Sequence, residues 1–287
     1  MFPHVHNAAL RRRLPLLAFA LGISVFAGCS LFPFGDDVKT IGVHRTVLPR
    51  IQASSDSIQL EIRFIERPAD DPLLGQALWR EVDQIAAIPS ETRDMLQQNG
   101  FQVGHVASSP PLAVQSLLGL VHDAGPCDGG GGKQKDGTRQ NLPPGFDTEI
   151  QATEPIEKCT VSIVEGQQSK TYEYEQVRFL FRMKSVRLHD GWVRIDFQPE
   201  IHHGEMRVRH TSTDEGWQYR SRQKVDARHA QQFSLTLNVG ELAIITAVPD
   251  HPNSMGEGFF CRDEDGSKRQ RLLIVRVVDA GKSSDTY

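Results

Sequence analysis

The sequence predicts an α+β protein: a small β-α-α-β-α domain followed by an antiparallel β-sandwich, behind an N-terminal export signal. Three observations carry this reading. An apolar run follows three arginines near the start of the chain. Strand-like and helix-like periodicities interleave between 56 and 123. From Asp147 onward nearly every segment alternates apolar and polar residues. The 287 residues suffice for one large or two modest domains. Hydrophobic content of 39% and charged content of 24% fit a globular body. A net charge of -4 with 7% aromatics offers no strong field for phosphates and few stacking platforms, so nucleic acid is not expected as a partner.

Residues 1–28 read as a signal peptide. Arg11, Arg12 and Arg13 form its positive region, Leu14 to Phe26 its apolar region, and Ala27-Gly28 the small residues before a cut. The apolar stretch is about 13 residues, short of the roughly 20 that a spanning helix needs. Val25-Phe26-Ala27-Gly28-Cys29 resembles the lipobox of bacterial lipoproteins, with Phe26 where that family favours Leu. The resemblance implies that Cys29 becomes the mature N-terminus. Its thiol would carry a diacylglycerol and its amine a further acyl chain such as palmitate. Each buried methylene contributes about 0.8 kcal/mol, so several chains anchor stably. Ser30 beside Cys29 implies, by the same resemblance, the outer membrane on its periplasmic side. Residues 29–55 are then the lipidated N-terminus and tether. The plainer alternative is an ordinary secretory signal with an incidental cysteine. With the lipobox included, the expected architecture is the α+β body after a lipoprotein signal peptide.

Ile58, Leu60, Ile62 and Phe64 alternate with Gln59, Glu61 and Arg63, which predicts a half-buried strand closed by Arg67-Pro68. Asp71-Pro72 is an N-cap followed by Pro at N1, and Leu74, Leu78, Val82 and Ile85 follow at helical spacing. Pro89-Ser90 opens a second helix, which Asn99-Gly100 closes. Phe101 to Ala107 is a strand. Ser109-Pro110 starts a third helix with Leu112, Leu117, Leu118 and Val121 inward. These elements delimit a small α/β domain, 56–123. The Gly-, Pro- and charge-rich stretch Gly125 to Gly145 makes 124–146 a linker or loop. Its GGGGK is not a phosphate loop, because Cys127 stands where a Gly is required and Gln134 where Ser or Thr is required. No nucleotide is expected.

Residues 147–280 are predicted as the β-sandwich, and 281–287 as a C-terminal tail. Strand candidates include EKCTVSIVEG, VRFLFRMKSVRL, GWVRIDFQPEI, ELAIITAV, EGFFCR and QRLLIVRVV, with His189-Asp190-Gly191 as a tight hairpin. VRLHDGWVRIDFQPEI, FSLTLNVGELAIITAV and RLLIVRVV together resemble the closing part of secretins, the ring-forming outer-membrane channels of bacterial secretion. The similarity spans about 177–278. It implies a turn at Val239-Gly240-Glu241 into a buried strand, a terminal strand Leu272–Val277 close by, and a role in envelope assembly. The paired glycines and lipid-facing hairpins of that family have no counterpart here.

Candidate chemistry is sparse. Glu200, His202, His203 and Glu205 are metal-ligand types, but exposed strand histidines explain them as well, and no metal site is expected. With Cys29 lipidated, Cys127, Cys159 and Cys261 allow three pairings. Cys127–Cys159 would close a loop of about 30 residues, worth roughly 3–4 kcal/mol. Gly-x-Ser-x-Gly and His-Glu-x-x-His are absent. Arg207, Arg209, Arg220, Arg222 and Lys224 form a basic stretch, either a solvated strand face or a contact for acidic partners or lipid headgroups. The expected function is a non-enzymatic scaffold or assembly lipoprotein without cofactor. It would be membrane-held through Cys29 and engage envelope proteins or itself. The alternative is a surface-tethered ligand-binding module or hydrolase.

Overall fold

The computed structural model describes residues 56–84, 87–120, 133–134, 137–189, 191–213 and 216–281. All belong to one compact unit. The fold is built mainly from two antiparallel sheets, with few and short helices.

β1 (Ile58–Pro68) buries Ile58, Leu60 and Ile62, as its alternation requires. It pairs along its length with β13 (Ser267–Asp279). β13 pairs with β11 (Leu242–Ala247), and β11 with β2 (Phe101–Val106). β3 (Lys133–Gln134) and β4 (Thr138–Leu142) add to the outer edge of β1, and β12 (Cys261–Glu264) folds back on β13. The second sheet has β10 (Phe233–Asn238), β8 (Trp192–Thr213), β7 (Gln168–Arg187) and β5 (Asp147–Gln151) in that order. β6 (Ile156–Glu165) pairs with the first half of β7, and β9 (Gly216–Ala227) with the second half of β8.

The two sheets share one core. Leu60, Val103, Ile245 and Val275 of the first cluster with Phe179, Phe181, Val193 and Ile195 of the second. The other face of the first sheet is also covered. Ile65, Leu242, Ile244, Leu272 and Ile274 pack with Leu78 of α1 (Gln76–Glu81) and Val114 and Leu117 of α3 (Leu112–Leu117). Burial on both faces explains why LAIITA and RLLIVRVV are continuous apolar runs.

The separation of 56–123 from 147–280 does not describe this pairing. β1 and β2 come from the first segment, yet their main partners β13 and β11 come from the second. A two-stranded unit is marginal alone, and the strands gain a buried position by joining one sheet. Local expectations fared differently. Asp71 caps a 3-10 turn, Pro72–Leu74, by accepting from Leu73 N–H at 2.9 Å. The helix expected to continue from there is broken at Gly75 and ends at Glu81; Ile85 and Val121 lie outside the described residues. α2 (Ser90–Gln98) ends at Asn99-Gly100, with Gly100 at φ +79°. The hairpin at 189–191 closes through Trp192 N–H donating to the His189 carbonyl at 3.0 Å. The strand expected over EGFFCR begins only at Cys261. The preceding residues form α4 (Met255–Phe260), capped by the Ser254 hydroxyl, which accepts from Glu257 N–H at 3.1 Å.

Candidate functional site

Cys29, the expected lipid attachment, and Cys127, the expected partner of Cys159, lie outside the described residues. Cys159 and Cys261 are half-buried free thiols. Burial pushes each up to about 11, so neither is a ready nucleophile near neutral pH.

The Glu200–His210 stretch is split by the structure. Glu200 and His202 share one face of β8, as period two predicts, and Arg182 of β7 pairs with Glu200 there. Arg182 Nε donates to Glu200 Oε1 at 2.7 Å, and His202 Nε2 lies 2.9 Å from Oε2. No group of three or more His, Cys, Asp or Glu able to hold a metal exists among the described residues. Burial opposes ionisation of Glu200. The hydrogen bonds from His202 and Arg182, with their charges, outweigh it and bring the carboxyl down to about 2. A group so low cannot exchange protons near neutral pH.

With the folded value below the ordinary one of 4.5, the network's stability is present above pH 4.5 and is lost as pH falls towards 2. The shift corresponds to about 3 kcal/mol. Glu200→Gln is therefore expected to lower stability at pH 7 and flatten the loss of stability between pH 5 and 2, read by urea denaturation across that range. An acid limb identical to that of the wild type would reject this account.

A second carboxylate is held the same way. Glu66 of β1 is buried between Arg262 Nη2 at 2.7 Å and Arg271 Nε at 2.9 Å, with Arg269 Nε at 3.5 Å. Burial raises its pKa, but the two closer guanidiniums win and hold it below the ordinary range. Arg262 and Arg271 line a cleft of about 370 Å³ with Phe64, Gln151 and Thr153. The sequence held no signal for this cluster, since its members are about 200 residues apart and follow no motif.

The most distinctive feature is the β8–β9 hairpin beyond His203. Until His203, β8 lies inside the second sheet; beyond it, β8 pairs only with β9. This arm extends about 30 Å at strand rise. A register shift between His203 and Arg207 marks its root, where Gly204 adopts φ +76°. Gln223 pins the bulge: its Nε2 donates to the Gly204 carbonyl at 2.8 Å, and its Oε1 accepts from Arg178 Nε at 2.8 Å. Beside it, Tyr174 Oη donates to Asp226 Oδ2 at 2.7 Å and accepts from Arg228 Nη2 at 2.9 Å, while Arg228 pairs with Asp226. Burial and Asp226 push the phenol up. His203 packs edge-on to the Tyr174 ring at 4.8 Å, and burial with nearby Lys224 holds its pKa down. The root thus carries a hydrogen-bonded polar cluster in which Arg228 pairs with Asp226.

The arm itself is rich in arginine. The register sets Arg207 opposite Arg222 and Arg209 opposite Arg220. Like charges directly opposite destabilise an isolated hairpin. A cleft of about 200 Å³ opens at its root, lined by His203, Gly204, Glu205, Arg207, Arg222 and Lys224. Cationic rungs on a two-stranded ribbon with open edges can take anionic groups and pair with a further strand. The sequence named these residues as a basic stretch; the cross-strand register that stacks them was not visible from alternation alone. No protein-family model matches the chain, and neither a curated protein nor a solved structure is similar to it.

Proposed function

We propose that this protein is an envelope-anchored lipoprotein with a non-enzymatic scaffold or assembly role, held by an acylated Cys29 in the outer membrane and engaging an acidic protein surface through the β8–β9 arm. The observation that carries the reading is the arm: arginine set opposite arginine on a hairpin that runs beyond the other strands of the second sheet. Such a device costs stability unless an anionic partner neutralises it. The low pKa of Glu200 and Glu66 supports a non-catalytic role, because both carboxylates are committed to arginines. The net charge of -4 makes a second copy of the chain one eligible acidic partner, which agrees with the ring assembly that the secretin resemblance implies. A second reading rests on the cleft at Arg262 and Arg271, which would suit a small anionic ligand in a tethered binding module.

Two measurements test the proposal. Mass spectrometry of the mature N-terminus is expected to find acyl mass on Cys29, and an unmodified cysteine there would reject the anchor. Crosslinking in native membranes is expected to yield a discrete adduct that Arg207→Asp with Arg222→Asp abolishes. Both positions are exposed, so folding is expected to stay within about 0.5 kcal/mol of the wild type. An adduct of undiminished yield would sink the arm's role.

A further inference from the structure

One end of the two-sheet body gathers several turns and the point where the chain enters. The turns are 143–146 between β4 and β5, 188–191 between β7 and β8, and 239–241 between β10 and β11. Two of them are tied to the strands beside them. Gly145 N–H donates to the Ser185 carbonyl at 2.7 Å, and Gly240 N–H to the Val277 carbonyl at 2.8 Å. A Cβ on Gly191 would meet Asn238 Oδ1 at 3.1 Å and the Val239 side chain at 3.9 Å. Arg187 joins both ends of the body's chain here. It pairs with Asp56, where the body begins, and its Nε donates to the Ala280 carbonyl at 2.6 Å.

These turns carry large apolar side chains facing water. Phe146 is 64% exposed, Leu188 39%, Trp192 38% and Val239 42%. Turns favour small and polar residues, so an aromatic or aliphatic side chain on each of three adjacent turns is not a consequence of turn geometry. None of the four serves the core, whose corresponding positions are filled by Val193, Leu237 and Leu242. Scattered exposed apolar residues need no explanation, but a group brought to one end by one hairpin and two connections between the sheets does.

The charges at this end are mixed. Lys184, Arg187, His189 and Arg194 stand with Asp56, Asp147, Glu241 and Asp279. They do not sum to a strong field of either sign, in contrast with the arm. The surface is therefore suited to an uncharged, amphipathic boundary. A bilayer headgroup region is such a boundary, and Trp, Phe and aliphatic side chains partition into it.

The chain preceding Asp56 favours the same occupant. Cys29 lies 27 positions before Asp56 in the sequence, and Asp56 pairs with Arg187 at this end. An anchor at Cys29 keeps this end, before any other, at high effective concentration near the lipid.

We propose that the end of the body formed by the 143–146, 188–191 and 239–241 turns is a membrane-docking surface, with Phe146, Leu188, Trp192 and Val239 seated in the headgroup region of the bilayer that holds the anchor. This rests on the tethering reading above and adds to it an orientation, with the body lying on the bilayer by this end.

The test uses the full chain reconstituted into phosphatidylcholine vesicles whose acyl chains carry bromine, a contact quencher of tryptophan. The chain has three tryptophans, Trp79, Trp192 and Trp217. Quenching is expected in the wild type and in Trp79→Phe with Trp217→Phe. Trp192→Phe is expected to abolish it, since the other two tryptophans lie on α1 and β9 and are not part of these turns. Leu188→Ser with Val239→Ser, exposed changes that spare the core, is expected to weaken quenching of Trp192 while leaving the chain on the vesicles. Raising the salt concentration is expected to leave quenching unchanged. Chain that floats with the vesicles but shows no quenching overturns the docking surface and leaves the tether standing. Chain that fails to float overturns both. Quenching that survives Trp192→Phe, or that vanishes with salt, assigns the contact elsewhere and also overturns the proposal.

Discussion

Ile244→Asp is expected to unfold both sheets together. Ile244 is fully buried on β11, opposite Ile274 of β13 and Gly104 of β2. Its side chain belongs to the apolar cluster beneath α1 and α3. A carboxylate placed there has no cation in that cluster, so it either ionises without a partner or takes up a proton and still loses its solvation. The cost is about 3–5 kcal/mol, a large fraction of a typical domain's stability. The consequence depends on connectivity. Were 56–123 and 147–280 independent, a lesion on β11 would leave the small domain folded. Because β1 and β2 flank β13 and β11 in one sheet, losing that sheet removes half of the common core. Urea denaturation of the wild type, followed by circular dichroism and by tryptophan fluorescence, should therefore show one coincident transition, shifted strongly by the substitution. Two separated transitions, or a midpoint moved by less than about 1 kcal/mol, would contradict this account.

That contrast shows what the sequence makes legible. Alternation in Ile58 to Phe64 identifies β1 and its buried face without help, because period two is a local property. Asp71-Pro72, Asn99-Gly100 and the hairpin at 189–191 are equally local: each encodes a cap or turn within four residues. Val239-Gly240-Glu241 leads into a buried strand, and Leu272 to Val277 lies beside it, as the sequence implied. What was not legible is which strands join. β1 and β13 are about 200 residues apart, and no periodicity states that partnership. The same distance hides the three arginines around Glu66.

α4 is a different kind of miss. Glu257 to Arg262 alternates weakly and reads as a strand. The stronger signal sits three residues earlier, in Ser254-Met255-Gly256-Glu257, a capping box. Glu257 answers the cap by accepting from Asn253 N–H at 2.5 Å. Two glycines in a six-residue helix argue against it on propensity alone, at about 1 kcal/mol each. Packing overrides propensity here, because those glycines are where other groups come close.

That close approach sets the second large effect. Gly256→Ala is expected to cost about 4–5 kcal/mol, far more than propensity, which would favour alanine. A Cβ at this position would sit 1.8 Å from the Gly100 carbonyl oxygen, 2.2 Å from its carbon and 2.9 Å from Phe101 nitrogen. All three are backbone atoms, so no side-chain rotation relieves the clash. The backbone cannot yield easily either. Gly100 N–H donates to Gln97, its carbonyl accepts from Val248 N–H at 2.8 Å, and Gly256 N–H itself donates to Asn99 at 2.9 Å. Asn99 is fully buried, and its amide bridges to both backbone groups of Val164 on β6 at 2.9 Å. Relief therefore requires α4 to lift away. That would withdraw Phe259 and Phe260, whose rings lie 5.2 and 6.2 Å from Phe101 and 4.7 and 6.0 Å from Phe181 at the centre of the core. Gly266→Ala provides the control. Its Cβ would meet nothing within 4 Å, so only the positive φ of 78° opposes it, worth about 1–2 kcal/mol. Denaturation midpoints of the two variants should differ accordingly. Equal losses would mean that α4 accommodates the methyl group, and that the contact between Gly256 and Gly100 does not fix the helix against the core.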